Sequence, residues 1–149
     1  MKMLMFDTSG FEYKTHSKTL DDVEDIEECE TITDPVVIFL HVEAEDEDRK
    51  NKVLKKSYNN LKWYLNKIDK DRIVLHSFAH LATSKSSPEF ASLLISELKD
   101  KLVNRGYNVS VTPFGYFSQF SINVNGESLA KVFKEFWNLL LILLTIHYN

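Results

Sequence analysis

Apolar residues fall along this chain in two rhythms, and the switches between them mark its elements. Met3–Phe6 and Phe11–Thr15 are short apolar-rich stretches on either side of Thr8-Ser9-Gly10. That pattern predicts two strands joined as a hairpin, with Gly10 free to take a positive φ. Residues 19–34 are polar and acidic with scattered apolar positions, and read as a loop. From Pro35 to Val42 the chain is almost continuously apolar, as in a strand covered on both faces. The rhythm then changes. Leu54, Tyr58, Leu61, Leu65 and Ile68 recur at helical spacing, with Lys and Asn on the opposite face.

A further buried strand is expected at Ile73–Leu75. Ser87 followed by Pro88 has the chemistry of a helix start, with a side-chain cap and then a proline whose missing N–H costs nothing there. Ala91, Leu94, Leu98 and Leu102 supply the inner stripe of that helix, and Gly106 is placed to end it. Tyr107–Val111 reads as a strand and Pro113-Phe114-Gly115 as a turn. Tyr116–Val124 returns with Phe120, Ile122 and Val124 on one face. Asn125-Gly126 stops it, and a last helix is expected from Ser128 onward.

Together these elements predict an α/β domain of the α+β, mixed-sheet kind with two to three covering helices, not a regular βαβ repeat. Residues 1–135 would form it. Residues 136–149 are set apart as an apolar C-terminal tail, because positions 136–146 carry no charge on any face. Eleven residues are too few to cross a bilayer, which needs about 20. Packing on the domain or in a homodimer contact is the expectation, with no membrane partner.

Composition narrows the chemistry. The single Cys29 excludes an intramolecular disulfide and any multi-cysteine zinc site. Histidines at 16, 41, 76, 80 and 147 form no metal constellation, so neither metal nor cofactor is expected. Met1–Phe6 is too short for the apolar core of a secretory signal, which points to a cytoplasmic protein. The formal charge of −4 conceals a split. Up to Asp48 there are 15 acidic and 3 basic residues, and from Arg49 onward 7 acidic and 15 basic. A polyanion would be repelled by the first part and drawn to the second, unless the two are merely solvated faces of opposite sign.

Chemistry concentrates between Arg72 and Phe120, where a strand end carries His76-Ser77-Phe78-Ala79-His80-Leu81 and a turn carries Pro113-Phe114-Gly115-Tyr116. On these pieces the chain resembles the N-terminal editing domain of archaeal threonyl-tRNA synthetases, a family similar in fold to D-aminoacyl-tRNA deacylases. The resemblance runs from Met1 to Glu135. It includes Met1–Phe6 with Phe11-Glu12-Tyr13, then Phe39–Glu43, and Gly126 with Leu129-Ala130 as the start of the last helix. It implies hydrolysis of serine wrongly esterified to threonine tRNA. Where a synthetase would continue, this chain stops, which implies a freestanding copy or a fragment.

Such an ester is already activated. The protein has to position a water and stabilise an oxyanion, and backbone amides suffice for the latter. The harder task is telling serine from threonine, since one methyl is worth only about 1–3 kcal/mol. A tight pocket that excludes threonine answers it. The resemblance places Val42, Ser77, Phe78 and Ala79 around the amino acid, with His80 beside the ester. Phe114, Gly115, Tyr116 and Phe117 are candidates for stacking on the terminal adenine, since aromatic rings accept any base. His76 reads as structural.

Two family positions differ. Where the family carries a lysine after its Pro-Phe-Gly-Tyr tetrapeptide this chain has Ser118, and where it carries a glutamate in the last helix there is Lys131. His80, Ser118 and Lys131 are therefore the catalytic candidates, with Lys131 proposed to reach the place of the missing lysine. The expected partners are the aminoacylated 3′ end of tRNA and a separate catalytic threonyl-tRNA synthetase. Two alternatives stay open: deacylation of D-aminoacyl-tRNA, and a non-catalytic module that binds tRNA or a synthetase.

Overall fold

A computed structural model describes residues 1–136. Its organising element is β1, Lys2–Lys18, a single strand of 17 residues. The hairpin expected around Thr8-Ser9-Gly10 does not form. Instead the register slips between Thr8 and Gly10, a bulge that bends the strand without reversing it. Gly10 is not among the residues with positive φ. The bulge is held by backbone and side-chain donation from Thr8 to the Pro35 carbonyl, at 3.2 and 2.7 Å.

The bend gives β1 two sets of neighbours. Its first half pairs antiparallel with β3, Val36–His41, and with β7, Lys131–Glu135. Its second half pairs with β2, Cys29–Thr33, and with β6, Tyr116–Val124. Beyond β3 the sheet continues in parallel through β4, Arg72–Ser77, and β5, Asn108–Val111. The result is a curled mixed sheet of seven strands backed by α1, Lys50–Ile68, and α2, Pro88–Arg105.

Two expectations about secondary structure are corrected. The loop predicted over 19–34 contains β2, whose only inward residue is Ile32, so alternation was too weak to reveal it. The last helix predicted from Ser128 is one 3-10 turn, Ser128–Ala130, followed by β7. The free edge of β1 wins over helical spacing there, with Val132 packed on the core behind it. Expectations for the apolar tail concern residues beyond the described ones. Phe136 itself is buried, donates its N–H to the Met1 carbonyl, and accepts at its own carbonyl from Arg49 at 2.6 Å.

Both helices form as their sequence dictates. Ser87 accepts the Phe90 N–H, Pro88 opens α2, and Gly106 closes it at φ 104°. Their inner stripes meet Met3, Met5, Ile38, Leu40, Ile73 and Leu75 in an aliphatic core on one side of the sheet. The other side is aromatic. Phe11 and Tyr13 from the bent half of β1, with Phe120 and Ile122 of β6, fold over Val37, Phe39 and Val74. No helix among the described residues is long and apolar enough to cross a membrane.

Candidate functional site

The carboxyl ends of β3, β4 and β5 lie side by side, the usual place for a ligand in an open sheet with parallel strands. A cavity of about 520 Å³ opens there, within the range of small-molecule sites. Val42 walls it from the end of β3. Ser77, Phe78, Ala79 and His80 follow from β4, and Phe114, Gly115, Tyr116, Phe117 and Ser118 from the turn into β6. Ten of the eleven expected site residues thus share one cavity. Lys131 does not join them: on β7 it pairs with Phe6, at the opposite end of that strand from Glu135, which pairs with Lys2 beside His41. Its ammonium donates to the Asn125 carbonyl at 3.1 Å. The exchange of positions proposed for it is not the geometry of this strand.

The wall between β4 and α2 is tied down by side chains that never face the cavity. The fully buried ring of His41 accepts the Leu81 N–H at Nδ1, 3.0 Å, and meets the Ser84 carbonyl at Nε2, 2.7 Å. An amide can only donate and a carbonyl only accept, so His41 is the neutral Nε2–H tautomer. The Ser84 hydroxyl donates to Glu45, the Ser86 N–H to the Val42 carbonyl, and the Ser87 N–H to Glu47. Glu45 is held below its ordinary pKa by hydrogen bonds from its own backbone and Ser84, and Glu47 by those from Ser87.

Amides in this wall are mostly committed. Phe78 N–H donates to Leu40, His80 N–H to Phe78 and Leu81 N–H to His41. That of Ala79 meets no described acceptor. The His80 ring is exposed and stands edge-on to Phe78, centroids 4.9 Å apart.

The facing wall carries a surprise. The acidic segment after β1 lies against the cavity, with Thr19 and Leu20 lining it. Tyr116 accepts the Ile26 N–H at 2.8 Å and donates to the Glu24 carbonyl, and the Thr19 N–H donates to the Gly115 carbonyl. Gly115 sits at φ 82°, and a Cβ there would meet Val23 at 2.8 Å, so only glycine lets this segment close on the turn. The charge split of the sequence therefore does not put the cavity on a purely basic face.

Sequence reasoning missed two contributors. Lys85 is the one Lys or Arg among the cavity's lining residues and forms no ion pair with a described residue. A lone lysine in a Ser-rich stretch carries no signal until the loop around it is fixed. The other is His76, expected to be structural. It lines the cavity while only 7% exposed, and its Nδ1 lies 2.8 Å from the Thr112 hydroxyl. Burial pushes its pKa down to about 4. Among the described residues there is no cluster of His, Cys, Asp or Glu able to hold a metal.

Comparison with known proteins decides the family. The family model described as the Archaea-specific editing domain of threonyl-tRNA synthetase matches residues 1–136. The chain belongs to that family. Threonine–tRNA ligases of Thermococcus sibiricus and Pyrococcus furiosus are similar at 29% and 30% identity over 135 residues. That of Methanocaldococcus jannaschii is 30% identical over 141 residues. The alignments take 89% of this chain for the first two and 91% for the third, but only 22% of each ligase, so the chain spans about a fifth of their length. Among solved structures, the c-Myc DNA Unwinding Element Binding Protein shares the fold, with a TM-score of 0.63 at 13% identity. The match covers 93% of this chain and all of that one. The mixed α+β fold with a curled sheet, expected above, is thus shared with that structure, and the family ties the chain to tRNA editing.

Proposed function

We propose that this editing domain hydrolyses the ester of seryl-tRNA charged to threonine tRNA, acting on the 3′ end in trans or beside a catalytic synthetase. One observation carries the reading: Val42, the Ser77–His80 wall and the Phe114–Ser118 turn converge on one small cavity at the strand ends. Serine enters it, and the extra methyl of threonine meets Val42 and Phe78. The ester carbonyl approaches the Ala79 N–H, an amide with no described partner, which supports the developing oxyanion. His80, exposed at the rim, orients the attacking water; Ser118 hydrogen-bonds near the ester. Lys85 faces the negative charge of the tRNA end.

Purified protein should release serine from seryl-tRNA(Thr) faster than threonine from the cognate ester. Background release from both would reject the reading. Esters of D-amino acids belong in the same assay, because preference for them would redirect the assignment to D-aminoacyl-tRNA.

A second reading is favoured by the charge inventory. Among the described residues no carboxylate lines the cavity, and Lys131 stands at the far end of its strand. A module that binds a tRNA end or a synthetase without turnover needs neither group. It predicts retention of tRNA with no release of the amino acid from any ester.

A further inference from the structure

The aromatic side of the cavity contains one polar ring whose second nitrogen has no assigned use. His76 lies among Phe11, Phe39, Phe78 and Phe120, with ring centroids 6.2, 5.3, 6.2 and 5.4 Å away. Its Nδ1 is taken by Thr112. Its Nε2 forms no hydrogen bond with a described residue, yet it is not among the sealed side-chain atoms that lack a partner. A nitrogen that is neither bonded nor sealed, on a ring that lines a cavity, faces that cavity.

Resting on the editing reading, we propose that Nε2 of His76 is the group that recognises the hydroxyl of the acyl side chain, making the cavity selective for a hydroxylated amino acid and not simply for a small one. Size alone does not give this selectivity. A pocket that excludes threonine admits alanine at least as easily as serine, since alanine is the smaller. Aromatic walls also favour the methyl. The imidazole reverses that order.

Burial keeps the ring neutral near pH 7, so it offers one donor and one acceptor. Thr112 engages Nδ1, which leaves a single complementary role to Nε2. If the Thr112 hydroxyl donates, Nε2 carries the proton and donates; if it accepts, Nε2 accepts. A substrate hydroxyl satisfies either case, because it both donates and accepts. An alanyl side chain satisfies neither and covers the nitrogen with carbon. Sites that bury a polar group for a substrate hydroxyl reject the analogue lacking it more strongly than apolar pockets reject one methylene.

The test compares single-turnover hydrolysis of seryl- and alanyl-tRNA(Thr) by wild type, His76→Phe and His76→Gln. Phe completes the surrounding ring cluster; Gln retains a hydrogen-bonding end. Wild type should favour the seryl ester by about tenfold or more. His76→Phe should bring the ratio to about one, while His76→Gln should retain a measurable part of it. Retention of the full ratio in His76→Phe, or an equal fall in both rates, overturns the assignment, since a purely structural histidine lowers both alike. A wild type without seryl preference overturns it as well. Hydrolysis of neither ester by wild type would instead reject the editing reading itself, and this inference with it.

Discussion

The two sides of the curled sheet are built differently and do different work. Towards the helices, Met, Leu, Ile and Val side chains from α1, α2, β1, β3 and β4 close an aliphatic core. Two hydroxyls within it are satisfied: Ser57 donates to the Val53 carbonyl, and Tyr64 to the Leu129 carbonyl. On the far side, Phe11, Phe39, Phe78 and Phe120 surround His76, and the cluster opens into the cavity at the ends of β4 and β5. The aliphatic side carries stability. The aromatic side is less completely closed and, under the proposed function, would carry recognition.

The division can be broken experimentally. The largest effect is expected at Leu98, fully buried on α2, where Leu98→Ala should cost about 2–5 kcal/mol in chemical denaturation. Ester selectivity should not change. A changed selectivity would show that the two sides are not separable. On the aromatic side stability should instead depend on pH. The folded pKa of His76 is about 4 against an ordinary value of 6.5, so the unfolded chain takes up the proton first as pH falls. Stability is therefore full above pH 6.5 and declines towards pH 4, by up to about 3 kcal/mol. Denaturation midpoints of wild type and His76→Phe across that range should diverge, and parallel curves would refute the assignment.

Lys85→Ala should weaken binding of threonine tRNA by about tenfold and reduce the slope of affinity against salt by about one. An unchanged slope would remove Lys85 from the binding face. The smallest effect is expected from the acidic segment, where converting Asp21, Asp22 and Asp25 to Asn should leave tRNA affinity equal or raise it about twofold at low salt. A loss would mean that the segment assists binding through its contacts with Gly115 and Tyr116.

The aliphatic side was largely legible in sequence, because helix periodicity and caps are local. Leu54, Leu61, Leu94, Leu98, Ser87 and Gly106 all occupy the roles their spacing predicts. What misled was long-range pairing. Thr8-Ser9-Gly10 has turn chemistry, but β3, β6 and β7 hold β1 extended through it. Residues 131–135 become a strand only because the edge of β1 is there to receive them. Apart from Val42, the expected residues that line the cavity were reached through two short motifs. His76 and Lys85 lay outside them, and their relevance depends on loops closing from distant parts of the chain.

The grip of His41 on both ends of the 81–84 strap has an energetic corollary. Backbone atoms and a single imidazole hold that strap in shape, and the strap joins His80 to Lys85, which both line the cavity. On the proposed function, a guest between those two residues would have little chain left to order, and affinity would gain by the freedom already surrendered.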